Sequence, residues 1–229
     1  MTPASGAMGI EVYLEFGAKR TFACAVDWPG WCRSGAGEAV ALEALLEYGP
    51  RYGAVVGSAR LGFKTPKAVT AFRVAERLEG NATTDFGAPG VIPKVDRAKA
   101  TPADCARFEK VLRAAWRALD AARRRATGKE LRKGPRGGGR ELDGIVNHVI
   151  EADLGYLTAF GWKVTLSGGP DDRIEQVRGA IIEAIGASAR GEIAATGPRG
   201  GVRWPVRYYV RRAAWHTIAH VWEIERRTL

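Results

Sequence analysis

The chain has 229 residues, 46% of them hydrophobic, with a formal net charge of +10. That length accommodates one large domain or two of ordinary size, with enough apolar content to build a core. The apolar runs are short and interrupted, so no transmembrane helix is predicted, and the opening MTPASGAMGIEVYLEF lacks the basic and apolar regions of a signal peptide.

Charge is distributed unevenly. Residues 97–140 hold fourteen Lys/Arg and four acids, which is the whole excess of +10. Such a block reads either as a solvated helix face with a mobile loop or as a surface for an anionic partner. The three cysteines, Cys24, Cys32 and Cys105, match no zinc spacing, and each is read as structural or incidental. A cytoplasmic location is expected.

From the N-terminus, residues 9–16 alternate like a strand, 17–19 turn, and 20–27 form a second strand, predicting a hairpin. Trp28-Pro29-Gly30-Trp31 is a turn flanked by aromatics that either line a binding surface or staple the turn. A helix is predicted from Glu38, with a break at Gly49-Pro50, then a further short helix within 53–64 and a strand over 69–79. Phe22, Ala23, Asp27, Pro29, Gly30, Gly35 and the Glu38-Ala39 helix start resemble the small HicB-like domain of some bacterial antitoxins, over roughly residues 9–52. That resemblance implies a binding or pairing module without catalysis. Residues 80–101 are rich in Gly, Pro and small polar residues and read as a linker.

Thr101-Pro102 begins a helix running to about Arg125, with Phe108, Val111, Leu112, Ala115, Trp116 and Leu119 on its apolar stripe. Residues 127–140 form a long basic loop, read as disordered or mobile, and placed to cover the site or bind an anion. A second helix spans about 140–160. A third starts at Asp171-Asp172 and continues to about Ser188. A fourth follows Pro205, with no Gly or Pro from Val206 to Arg227.

The protein has three histidines, His148 on the second of these helices and His216 and His220 on the fourth. Residues four apart on a helix share a face, with Cβ atoms roughly 5–6 Å apart, so His216 and His220 can chelate one ion. His148 on a neighbouring helix would complete a three-imidazole set that leaves a divalent ion with open positions. Glu151 and Glu223, each three residues beyond a histidine, are candidate acceptors for a ring N–H. The alternative is that the histidines are hydrogen-bonded core residues.

The AWHTIAHVWEIERR tail and the placing of His148 resemble the DinB/YfiT-like family of metal-dependent four-helix proteins, over about the last 130 residues. That resemblance implies a four-helix fold in which His148, His216 and His220 hold a divalent metal, zinc or nickel. Some members of the family use a low-molecular-weight thiol in transferase or isomerase chemistry and many have no known reaction, so the resemblance does not by itself imply a substrate.

The expected fold is therefore α+β. Residues 1–79 form a small HicB-like α/β domain, 80–101 a linker, and 102–229 an antiparallel DinB-like four-helix bundle. Arg212 is a candidate for holding an anionic substrate group, and Tyr156 and Glu151 are candidate bases by position alone. The alternative function is a non-catalytic binding protein that uses the first domain and the basic 97–140 stretch to hold a protein or polyanion. Nucleic acid is the disfavoured partner, because no helix-turn-helix or stacking motif can be placed. A small-molecule substrate is expected, no membrane is implied, and the oligomeric state is left open, a homo-oligomer included.

Overall fold

The computed structural model describes residues 9–133 and 139–229. Residues 1–8, the first part of the opening stretch expected to lack a signal peptide, and the centre of the basic loop, 134–138, lie outside the described residues. The chain divides into two compact units, Met1–Val95 and Asp96–Leu229. It is a mixed α/β protein, with a four-stranded sheet near the N-terminus followed by helices.

The first unit contains β1 Ile10–Phe16, β2 Thr21–Ala25, β3 Cys32–Gly35, helices α1 Glu38–Glu47 and α2 Gly49–Val56, β4 Phe72–Glu79 and the short helix α3 Ala82–Phe86. Strand order is β3-β2-β1-β4. The predicted hairpin forms, with Val12 opposite Ala25 and Phe16 opposite Thr21. Strand β4 joins β1 in parallel, a pairing that needs the crossover which α1 and α2 supply. Pro50 sits in the first turn of α2, where its missing N–H is tolerated, and this divides the predicted helix at Tyr48.

Trp31 is fully buried and its Nε1 donates to the Leu45 carbonyl at 2.9 Å. Its ring stacks on Tyr52 and meets Phe63 and Phe72 edge-on. Trp31 is thus core, and Trp28 packs edge-on against Phe63 and Tyr52. Register sets Cys24 opposite Cys32, and a disulfide joins them across β2 and β3, while Cys105 is free and buried.

Residues 80–101 are not a free linker. Asn81 caps α3, accepting from the N–H of Thr83 at 2.8 Å. The buried carboxylate of Glu15 accepts the N–H of Gly90 at 2.8 Å, the N–H of Val91 at 3.1 Å and the Thr84 hydroxyl. These backbone groups have no ladder or helix to satisfy them, and one acid from β1 does so instead. Composition reports the turns of this stretch and is blind to the acid that fixes it.

The second unit contains α4 Pro102–Ala126, α5 Leu142–Phe160, α6 Pro170–Ala189 and α7 Val206–Arg227. Helix α7 packs on α4 and α5, and α6 packs on the same two helices. The predicted apolar stripe of α4 is buried throughout. Thr101 and Asp104 form a reciprocal cap at its start, and Asp104 also accepts from Arg207 of α7 at 2.6 Å. Helix α5 ends at Gly161, whose φ of 100° is the left-handed conformation glycine adopts without strain.

Helix α7 buries far more than one stripe, including Arg211, Arg212, His216 and Thr217. Arg211 meets the buried Asp96 with both arms, at 2.8 and 2.7 Å. The described start of the basic loop is docked rather than mobile. Leu131 is buried and bridges to Thr228, and the Arg132 N–H donates to the Arg227 carbonyl. Among the described residues, no helix is long and apolar enough to cross a membrane.

Candidate metal centre

Helix α5 presents His148 and helix α7 presents His216 and His220, one turn apart on the same face. The three side chains converge through the same ring atom. Nε2 of His216 lies 3.2 Å from Nε2 of His148 and 3.2 Å from Nε2 of His220. The three histidines lie close enough to hold a metal ion.

Hydrogen bonding alone accounts poorly for this convergence. An imidazole Nε2 carries either one lone pair or one proton, directed along a single axis. His216 Nε2 therefore cannot make two good hydrogen bonds with two other nitrogens. A divalent ion satisfies all three lone pairs at once. Metal–nitrogen bonds of about 2.0–2.1 Å put tetrahedral ligand nitrogens about 3.3 Å apart, which matches the observed spacing.

A neighbouring carboxylate sets the tautomer of His220, while Nδ1 of the buried His216 meets no partner among the described residues. Nδ1 of His220 lies 2.7 Å from Glu223, so its proton sits on Nδ1 and Nε2 keeps its lone pair. That hydrogen bond, with the one from Arg227, holds the Glu223 carboxyl down at about 2. Arg227 in turn donates to the carbonyls of Arg132 and Arg140, so it ties both flanks of the basic loop to the ligand's partner. Burial, reinforced by His220 and His148, lowers His216 to about 2. Burial and the Arg140 charge lower His148 as well. Both are neutral at physiological pH, the form that binds metal.

No protein family, curated protein or solved structure matches this chain.

The chemistry is therefore read from the side chains. Of the residues singled out by sequence, the structure brings together His148, His216, His220, Glu223, Tyr156 and Arg212. The Tyr156 ring centroid lies 5.8 Å from that of His216, and Arg212 donates to the Tyr156 hydroxyl at 3.2 Å. Glu151 bonds none of the three histidines, although its charge acts on His148. It is exposed, and no hydrogen bond joins it to His148. The spacing of three that carries Glu223 to His220 on α7 turns Glu151 toward solvent on α5.

Sequence reasoning passed over Asp153. It is buried on α5 with Oδ1 unpartnered, and burial raises its carboxyl to about 7. The available signal was an acid set between the apolar positions Val149 and Leu157. The basic face of α4 is partly neutralised within the unit. Arg123 pairs with Asp171, Arg125 with Glu225 and Arg113 with Glu109.

Proposed function

We propose that residues 102–229 form a DinB/YfiT-like four-helix bundle that binds a divalent metal, zinc or nickel, through His148, His216 and His220. The convergence of three Nε2 atoms at 3.2 Å carries this reading. Three neutral ligands leave the ion its full charge and at least one open position, so when bound it lowers the pKa of a water or thiol there. The ligand number and type fit a catalytic site rather than a closed structural one.

The protein's own residues divide the remaining work. Glu223 fixes the His220 ring and its tautomer, and Arg227 holds Glu223 in place. Burial keeps His216 and His148 unprotonated. Tyr156 and Arg212 border the site and are placed to position a substrate. The resemblance to the DinB/YfiT-like family, rather than the geometry, extends the proposal to thiol-dependent transferase or isomerase chemistry with a low-molecular-weight thiol as cosubstrate.

Cobalt(II) loading tests it. Adding cysteine or glutathione to the cobalt protein is expected to produce a thiolate-to-cobalt absorption band, absent in His148→Ala. A cobalt protein whose spectrum is unchanged by either thiol would remove the thiol from the proposal.

A further inference from the structure

Arg212 is a buried cation that bonds no acid among the described residues. Its residue is 8% exposed. Nη2 donates to the Tyr156 hydroxyl at 3.2 Å, while Nε and Nη1 are enclosed and meet no acceptor among the described residues. Its Cζ lies 5.3 Å from the Tyr156 ring centroid and 5.1 Å from that of Trp215. Aromatic faces attract a cation but supply no acceptor for its in-plane N–H groups. The neighbouring Arg211 shows the contrast, with both arms on Asp96. Buried charges are ordinarily paired, so two orphaned guanidinium nitrogens require an explanation.

Position supplies one. Arg212 precedes His216 by four residues on α7, so the two share a face. The Tyr156 hydroxyl that Arg212 holds belongs to a ring 5.8 Å from that of His216. The acid bonded to the cluster, Glu223, is already committed to His220 and Arg227. The wall between Tyr156 and the histidines therefore carries a buried cation that no carboxylate among the described residues bonds.

We propose that Arg212 and Tyr156 form an oxyanion-binding site that holds the carboxylate or phosphate group of a substrate whose reacting centre lies at the three histidines. Nη2 keeps a second proton after serving Tyr156, so one edge of the guanidinium still offers two parallel N–H groups, the pattern that grips two oxygens of a carboxylate or phosphate. The Tyr156 hydroxyl accepts from Arg212 and has its own proton to donate to the same anion. This inference rests on the metal-site reading for the reacting centre, and on Arg212 alone for the anion.

The test is calorimetric titration of the zinc-loaded full chain with acetate and with inorganic phosphate, at constant ionic strength in chloride. Wild type, Arg212→Met and Arg212→Lys are compared, with metal content measured on every sample. The expected result is that one oxyanion binds wild type and that Arg212→Met binds it about tenfold or more weakly, the loss of a charge-assisted bond. Arg212→Lys, which keeps the charge but not the fork, falls between them and serves alone if the Met variant does not fold. Preference for acetate assigns a carboxylate, and preference for phosphate assigns a phosphate ester. Arg212→Met should also melt no lower than wild type without anion, which a purely structural arginine would not allow. Equal affinity in wild type and variants, or no binding with metal in place, overturns the anion site and leaves the metal site standing. Absence of metal from wild type overturns the metal reading, and the same titrations still decide Arg212.

Discussion

Glu223 accepts from His220 on one oxygen and from Arg227 on the other, and so sets which nitrogen of His220 faces the cluster. Glu223→Gln keeps the shape but weakens that orientation. It is expected to reduce metal affinity by about 10–100-fold, measured by competition with a chromophoric chelator. An unchanged affinity would show that His220 needs no such partner. Asp153 gives a second prediction, in pH. Burial raises its folded pKa to about 7, above the ordinary aspartate value of 3.8. Between those values the folded state holds a proton that the unfolded state has lost, so stability falls as pH rises toward 7 and then levels off. Asp153→Asn is therefore expected to be more stable than wild type at pH 8, by on the order of 3 kcal/mol, with the gap closing toward pH 4. Urea unfolding at both pH values measures it, and a gap independent of pH would refute the raised pKa. His216, His220 and Glu223 were legible because spacing along one helix places them together, whereas His148 joins them only through the packing of α5 on α7, and the same spacing rule failed for Glu151. The missing acid beside Arg212 and the burial of Asp153 were not, since both depend on what neighbouring helices bring.

Helices carried the clearest sequence signals. Thr101-Pro102 marks the start of α4, and the Gly- and Pro-free run from Val206 to Arg227 is α7 itself. Thr101→Ala removes half of the reciprocal cap and is expected to cost about 1 kcal/mol in urea unfolding. No loss would mean that Asp104, held by Arg207, caps the helix unaided. The elements that escaped the sequence reading lack such local signals. Strand β3 is four residues, CRSG, without alternation, and is defined by its pairing with β2. Helix α3 lies in a Gly- and Pro-rich stretch whose order comes from Glu15, about seventy residues earlier in the chain.

At the scale of the whole chain, the histidine cluster lies within Asp96–Leu229 and the Cys24–Cys32 disulfide within Met1–Val95. A ligand that binds only the folded state stabilises it by about 2.7 kcal/mol at one hundred times its Kd. Chelation of the metal-loaded protein is accordingly expected to lower the temperature at which helical circular dichroism is lost. Chelation should leave Asp96→Ala, which strands Arg211 in the core, still less stable than wild type by about 3–5 kcal/mol, because a buried charge has lost its partner. The central claim is the metal itself. It is tested most directly by elemental analysis of tag-free protein beside a His216→Ala, His220→Ala double variant. The account predicts close to one divalent ion per chain in the native protein and none in the variant. No ion in either, even after addition of zinc or nickel, would contradict it and return the three histidines to the core.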